Sequence, residues 1–270
     1  PVGLIEEMLG GNQRALSKLI TLVENNEEAR TQILSKIHKY TGKAHIIGFT
    51  GPPGVGKSTL VNQVAIEMLD RDKKVGVVAV DPSSPFTNGA ILGDRIRMLG
   101  NEDNSNLFIR SLASRGKLGG LSKVTNDVVK LLDAFGNDVI LIETVGIGQS
   151  EYDIAKAAHT TTIVLSPGYG DDIQAMKAGI LETGDIFTVN KADMDEDNLK
   201  KVVANLRGTV RMNFQNHDWK PPIQKTVALK GEGIEELVDQ FERHYEHLVE
   251  SGQWEIKEKI RIENELYDYL

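Results

Sequence analysis

The chain has 270 residues, 40% of them hydrophobic, enough for one large buried core with small helical additions. Its 31 basic and 39 acidic residues leave a formal net charge of −8, which argues against nucleic acid or an anionic membrane as the principal partner. There is no cysteine, which excludes disulfides and thiolate metal sites. The six histidines are scattered along the sequence, and solvated or core positions are expected for them rather than a metal cluster. No apolar run approaches the length of a bilayer span, and the opening Pro1-Val-Gly-Leu4 lacks the basic and apolar regions of a signal peptide. A soluble, cytoplasmic protein is expected; no transit peptide is visible that would favour a mitochondrial matrix form.

In chain order, Leu4, Ile5, Met8, Leu9, Leu16, Leu19, Ile20 and Val23 predict one amphipathic helix, and Ile33, Leu34 and Ile37 a second. Both read as packing helices, so residues 1–42 form a helical extension before a main domain at 43–250. The first strand, Ile46–Thr50, runs straight into Gly51-Pro-Pro-Gly-Val-Gly-Lys-Ser58, which fits G-x-x-x-x-G-K-[ST]; a helix bearing Leu60, Val61, Val64, Ala65, Met68 and Leu69 follows. That context makes the motif a phosphate cradle. Its glycines let the backbone wrap with N–H groups pointing inward, Lys57 reaches the terminal phosphates, and the Ser58 hydroxyl can ligate Mg²⁺. The helix dipole aims its positive end at the same anion. Gly51, Pro53, Gly54, Val55, Gly56, Lys57, Ser58 and Thr59 are the candidate phosphate-binding residues.

A second strand, Val75–Val80, leads to Asp81, with Asp94 in the following loop; then come a strand at Leu107–Arg110 and a helix at Leu121–Phe135. The fourth strand, Val139–Glu143, opens Glu143-Thr-Val-Gly146, an acid-x-x-Gly element whose glycine N–H can meet a γ-phosphate, with Glu143 in place of the commoner Asp. Ligands collect at strand C-ends beside such a cradle. Ser58, Asp81, Asp94 and Glu143 are therefore the candidate Mg²⁺ ligands, and Lys57, Asp94 and Glu143 the candidate catalytic residues. No catalytic Arg is evident among Arg95, Arg97, Arg110 and Arg115, each of which reads first as structural or switch-related.

A strand at Thr162–Ser166 and a helix at Asp172–Leu181 precede the sixth strand, Ile186–Asn190, which ends in Asn190-Lys-Ala-Asp193. Guanine presents an N1–H and an N2 amine side by side, and one carboxylate can accept from both; adenine offers neither donor there. Asp193 would supply that carboxylate, Lys191 would cover the base and Asn190 would brace the loops. Adenine would leave the buried carboxylate unpaired. A helix at Asn198–Val210 and a strand at Ile223–Val227 follow, and Thr226-Val-Ala-Leu-Lys230 supplies a backbone N–H for the guanine oxygen from Val227, Ala228 or Leu229, with Ala228 preferred. After Gly233, the residues Ile234, Leu237, Val238, Phe241, Tyr245 and Leu248 predict a long helix. Ile256, Ile260, Ile262, Leu266 and Tyr269 continue in a charged segment with little obvious core to join. Strands alternating with helices, several of them β-branched without polar alternation, predict an α/β fold: a mostly parallel central sheet wrapped by helices.

Five blocks carry a closer resemblance. Asp81-Pro-Ser-Ser-Pro-Phe-Thr87, Gly89-Ala-Ile-Leu-Gly-Asp-Arg95, Arg115-Gly-Lys-Leu-Gly-Gly120, Glu143-Thr-Val-Gly-Ile-Gly-Gln-Ser-Glu151 and Gly170-Asp-Asp-Ile-Gln-Ala-Met-Lys-Ala-Gly179 resemble the MeaB/ArgK/MMAA family. These are P-loop GTPases of the signal-recognition-particle, MinD and BioD class that act as chaperones of adenosylcobalamin-dependent methylmalonyl-CoA mutase. The resemblance implies a Mg²⁺-dependent GTPase, converting GTP to GDP, that gates cofactor loading and protection or repair of such a mutase. It places a switch around Gly146–Glu151, with Gln149, and a further switch at Gly168–Gly179, with Asp171, Asp172 and Lys177, that communicates with the mutase. Residues 251–270 match the start of a C-terminal helical arm that supports a homodimer in the family. Two other readings share the hydrolase core: a metal-insertion GTPase of the hydrogenase or urease type, and a nucleotide-regulated scaffold. A lysine/arginine/ornithine transport kinase, a label some members carry, lacks support because there is no kinase Gly-rich loop or H-R-D element.

Overall fold

Uninterrupted apolar runs give strands that must be covered on both faces, and this dictates the architecture. The computed structural model describes residues 2–81, 105–113, 123–144, 150–169 and 178–267. Strands β1 (His45–Thr50), β2 (Val75–Asp81), β3 (Leu107–Ala113), β4 (Val139–Thr144), β5 (Thr160–Leu165), β6 (Ile186–Val189) and β7 (Ile223–Lys225) form one sheet in the order β3-β2-β4-β1-β5-β6-β7. Every pairing is parallel. β1, β4 and β5 are buried along their whole length. This is the parallel sheet wrapped by helices that the alternation of strands and helices predicts. β3 runs on past Arg110 to Ala113 because it pairs with β2 along its entire length.

The amino-terminal segment departs from expectation. The single helix predicted from Leu4 to Val23 is two, α1 (Val2–Leu9) and α2 (Gln13–Asn25). Gly11 takes a left-handed φ of 91°, and Asn12 Oδ1 accepts from the backbone N–H groups of Arg14 and Ala15. A left-handed glycine ends one helix and an asparagine N-cap starts the next. The apolar positions of both still reach one core. With α3 (Glu27–Ile37) and α5 (Lys123–Phe135), which follows α4 (Lys57–Asp70) in the chain, they cover one face of the sheet through Leu16, Ile20, Ile33 and Leu131 against Ile46, Val78 and Ile140.

The other face is covered by α4 and by α9 (Ile234–Glu250), whose Leu60, Val64 and Phe241 pack on Ile47, Phe49 and Leu141. Between β4 and α9 the chain forms α6 (Ser150–Ala157), α7 (Ala178–Leu181) and α8 (Glu196–Asn213). α8 lies over β5 and β6 through Leu199, Val202 and Leu206. A last helix, α10 (Gln253–Tyr267), closes the N-terminal end of the sheet. Its Ile256, Ile260 and Ile262 do not enter the core; they are 57%, 48% and 38% exposed. None of the helices among the described residues is long and apolar enough to cross a membrane.

Candidate functional site

The sheet brings its functional residues together at the C-terminal ends of β4, β1 and β6. The loop after β1 turns through Gly51, Gly54 and Gly56 at φ values of 142°, 80° and 93°, which L side chains rarely adopt. Space is equally restrictive: a Cβ on Gly51 would lie 2.1 Å from the Val164 carbonyl of β5, and one on Gly56 would lie 2.6 Å from Asn190 Nδ2. Only glycine lets the loop nestle between β5 and the end of β6. α4 begins at Lys57, with Gly56 as its cap and no side chain across its first N–H groups. Those donors and the helix dipole favour an anion there. The Lys57 ammonium is buried and donates to the carbonyls of Gly51 at 2.8 Å and Pro52 at 2.9 Å.

Ser58 sits in the first turn of α4, facing the end of β4. Its hydroxyl donates to Glu143 Oε1 at 2.6 Å, although the two residues are 85 positions apart in sequence. Glu143 is 8% exposed and pairs in register with Phe49 of β1 and Ala79 of β2, which puts its carboxylate beside the cradle. A hydroxyl and a carboxylate are hard oxygen donors of the kind Mg²⁺ prefers. Asp81 ends β2, in register with Ala113. The Asp81 side chain, and Asp94, Gly146, Gln149, Asp171, Asp172 and Lys177, lie outside the described residues, as do Arg95, Arg97 and Arg115. Arg110 is placed away from the cradle, in β3 at the sheet edge, where it is ion-paired with Glu24 of α2.

The base-reading candidates are tied to the cradle by two side chains, Asn190 and Lys191. Asn190, 2% exposed, donates from Nδ2 to the Val55 carbonyl at 2.9 Å; its Oδ1 accepts from the Thr226 hydroxyl at 3.1 Å and the Ala228 N–H at 3.0 Å. Val227 and Leu229 flank that N–H in a 3-10 turn, Ala228–Lys230. Lys191 takes a left-handed φ of 57° and donates to the Gly54 carbonyl at 2.7 Å, so its stem crosses from the sixth-strand loop to the cradle. Asp193 is exposed at the rim. Its partner is Lys230, at 2.8 Å, and this hydrogen bond holds the Asp193 carboxyl below its usual range. Lys230 as the companion of Asp193 is missed from sequence; its only signal is the position just after the Val227–Leu229 loop.

Four of the six histidines, far apart in the sequence, gather at the N-terminal end of the sheet, opposite the cradle, and three of them, His45, His159 and His244, take the core positions expected. Ile46 N–H donates to His159 Nδ1 at 3.0 Å, so Nε2 carries the ring hydrogen and donates to Glu258 of α10 at 2.5 Å. Thr160 Oγ1 bridges His45 Nε2 at 2.6 Å and His244 Nδ1 at 2.8 Å, and His244 Nε2 faces Asp185 at 3.4 Å. His247 stacks against His244. Lys257 donates to the His159 carbonyl at 2.6 Å, and Trp254 stacks on the His159 ring at 4.0 Å between centroids. Burial pushes His45 and His159 below the ordinary imidazole value, and pushes His244 down to about 4. Neutral imidazoles, met by the Glu258 carboxylate and the Lys257 ammonium, are how α10 docks. The charged final segment joins the fold through polar pairs, which is why no apolar core for it is visible in the sequence.

A family model described as methylmalonyl-CoA mutase-associated GTPase MeaB matches residues 16–269. The chain belongs to the MeaB family. A putative GTPase of Pyrococcus horikoshii is 50% identical over 264 residues, covering 97% of this chain and 83% of that protein. The methylmalonic aciduria type A homolog of Caenorhabditis elegans, a mitochondrial protein, is 30% identical over 284 residues, covering 99% and 71%. Among solved structures, a LAO/AO transport system kinase superposes with a TM-score of 0.79 at 27% identity, covering 99% of this chain and 82% of that one. HypB of Helicobacter pylori, solved with nickel, superposes with a TM-score of 0.56 at 21% identity, covering 81% and 94%, and shares the fold alone. Membership of the MeaB family makes this chain one of a family of GTPases.

Proposed function

We propose that this chain binds guanine nucleotides and hydrolyses GTP to GDP and phosphate, and that the cycle times its action on an adenosylcobalamin-dependent acyl-CoA mutase, methylmalonyl-CoA mutase first among them. The observation that carries the nucleotide reading is the Asn190 brace, which links the phosphate loop at Val55 to the base loop at Ala228 in one hydrogen-bonded unit. The mutase assignment rests on the MeaB model and on the printed name of the Caenorhabditis elegans relative. The main domain is taken as residues 43–250, after an extension at 1–42 and before an arm that starts at 251.

In this reading the cradle N–H groups hold the β-phosphate, and Lys57 leaves the carbonyls of Gly51 and Pro52 for phosphate oxygens. Ser58 and Glu143 hold Mg²⁺, with Asp81 and Asp94 as the remaining candidates. Mg²⁺, when bound, offsets the charge on the phosphate oxygens. Gly146 faces the γ-phosphate, and Gln149, Asp171, Asp172 and Lys177 carry the switches. Asp193 accepts from guanine N1–H and N2, Lys191 covers the base, and the Ala228 N–H meets its oxygen. The sequence marks no arginine as catalytic, and slow turnover until a partner completes the site is part of this reading. The exposed Ile256 and Ile260 of α10 support a second copy as a further contact.

Phosphate release from GTP tests the first half: Lys57→Ala abolishes it, and undiminished release by that variant overturns the assignment. Co-purification with methylmalonyl-CoA mutase in GDP and GTP-analogue states tests the second. A complex that ignores the nucleotide, or none at all, assigns the cycle to a different client.

A further inference from the structure

At the carboxyl end of α8 the helix, the segment after it and β7 enclose a cleft of about 510 Å³ that has no part in the nucleotide site. Cavities of this size hold small organic molecules. Its floor is apolar: Val203, Val210, Phe214, Pro221 and Ile223, of which Val203, Phe214 and Pro221 are buried. Its rim carries Arg207, Arg211, Lys220 and Lys225, all exposed, and no acidic residue lines it. In a chain of net charge −8 that is a local reversal of sign.

The fold does not account for these cations. Arg211 in the last turn of α8 favours the helix dipole, but Arg207 lies one turn earlier, and like charges at i and i+4 are unfavourable. Lys200, nearer the amino end of the same helix, is paired with Glu196 at 2.8 Å. By contrast, the side chains of Arg207, Arg211, Lys220 and Lys225 have no hydrogen-bond or ion-pair partner among the described residues. Four unpaired cations over an apolar floor complement a ligand that is apolar at one end and anionic at the other. Guanidinium forks suit a planar or tetrahedral oxyanion in particular.

We propose that this cleft binds a small amphipathic anion, with an aromatic or aliphatic body on Phe214, Pro221 and Ile223 and a doubly charged group, of the phosphomonoester kind, held by Arg207 and Arg211. The site is separate from the cradle, and its ligand is a second small molecule rather than the nucleotide.

Three probes test it by fluorescence titration and competition, with the full chain in saturating GDP and Mg²⁺: 1-naphthyl phosphate, 1-naphthol and inorganic phosphate. The phosphate ester binds saturably, and at least about tenfold tighter than either half alone, because both halves of the cleft are used. Arg207→Glu with Arg211→Glu weakens the ester by at least about tenfold while the melting temperature stays at the parent value, since both side chains are exposed. A milder pair, Arg207→Gln with Arg211→Gln, gives a smaller loss in the same direction. The same contrast in a Lys57→Ala background assigns the signal to the cleft even if GDP does not fill the cradle. Absence of saturable binding, equal binding of naphthol or of inorganic phosphate, or an affinity indifferent to both double variants overturns the proposal.

Discussion

Replacing Asn190 by alanine removes a side chain that joins the phosphate loop to both base loops. It deletes three hydrogen bonds, to the Val55 carbonyl, the Thr226 hydroxyl and the Ala228 N–H, at a residue 2% exposed. A neutral buried hydrogen bond nets about 1 kcal/mol, so the variant is destabilised by about 3 kcal/mol. Leaving the Val55 carbonyl and Ala228 N–H unpaired raises the cost, and water entering the vacated space lowers it. The same ordering must then be supplied when nucleotide binds, which weakens GDP by about a hundredfold, at 1.4 kcal/mol per decade. Thr226→Val removes one of the three bonds and costs about 1 kcal/mol, or about fivefold in affinity. Urea unfolding and isothermal titration with GDP measure both quantities. The reasoning fails if Asn190→Ala binds GDP within about threefold of the parent, or if Thr226→Val is as costly as the alanine variant.

Asp193→Asn exchanges an acceptor for a donor toward the purine edge and shifts preference from guanine to xanthine nucleotides; competition binding with GDP and XDP reads this, and unchanged guanine preference refutes it. Gly51→Ala puts a Cβ 2.1 Å from a backbone carbonyl at a φ of 142°, where neither side can yield, and costs about 3 kcal/mol or more in urea unfolding. Stability also falls on mild acidification. His244 titrates at about 4 when folded against an ordinary 6.5, so below 6.5 the unfolded chain takes up a proton that the folded chain refuses. Its contribution is complete above pH 6.5 and is lost by pH 4, about 3 kcal/mol in all; His45 and His159 act in the same direction. Glu258, held down to about 2 by His159 and Arg261, extends the loss below pH 4.5. Urea midpoints from pH 7.5 to 5 follow this slope, and a flat profile contradicts it.

Much of this molecule is legible in its order of residues because the signals are local. The central strands β1, β2 and β4 are short apolar runs, and the cradle and the Asn190–Asp193 loop are fixed spacings whose backbone conformations follow from glycine and from a strand end. Even the amino-terminal error is local in origin. Leu4 to Val23 keep one apolar phase, so periodicity alone joins two helices, while the break lies in Gly11 and Asn12, whose left-handed turn and N-cap outweigh the phase. What is not legible arises from partners far apart in the chain. Nothing near Lys230 announces its pairing with Asp193, and nothing near His159 announces Glu258, which is 99 positions away.

The sequence by itself thus determined the chemistry on offer: a phosphate loop, a guanine-type carboxylate, oxygen donors for a divalent cation, and strands that demand cover on both faces. Residue type and local spacing suffice for these. Only the tertiary structure decided which of these groups meet. The order β4-β1-β5-β6 places Glu143 against Ser58 and Asn190 between Val55 and Ala228. It also folds four histidines under α10 and gathers four arginines and lysines over an apolar cleft. Such contacts depend on strand order and helix docking, which are set by the summed burial of the whole core and are not written in any one segment.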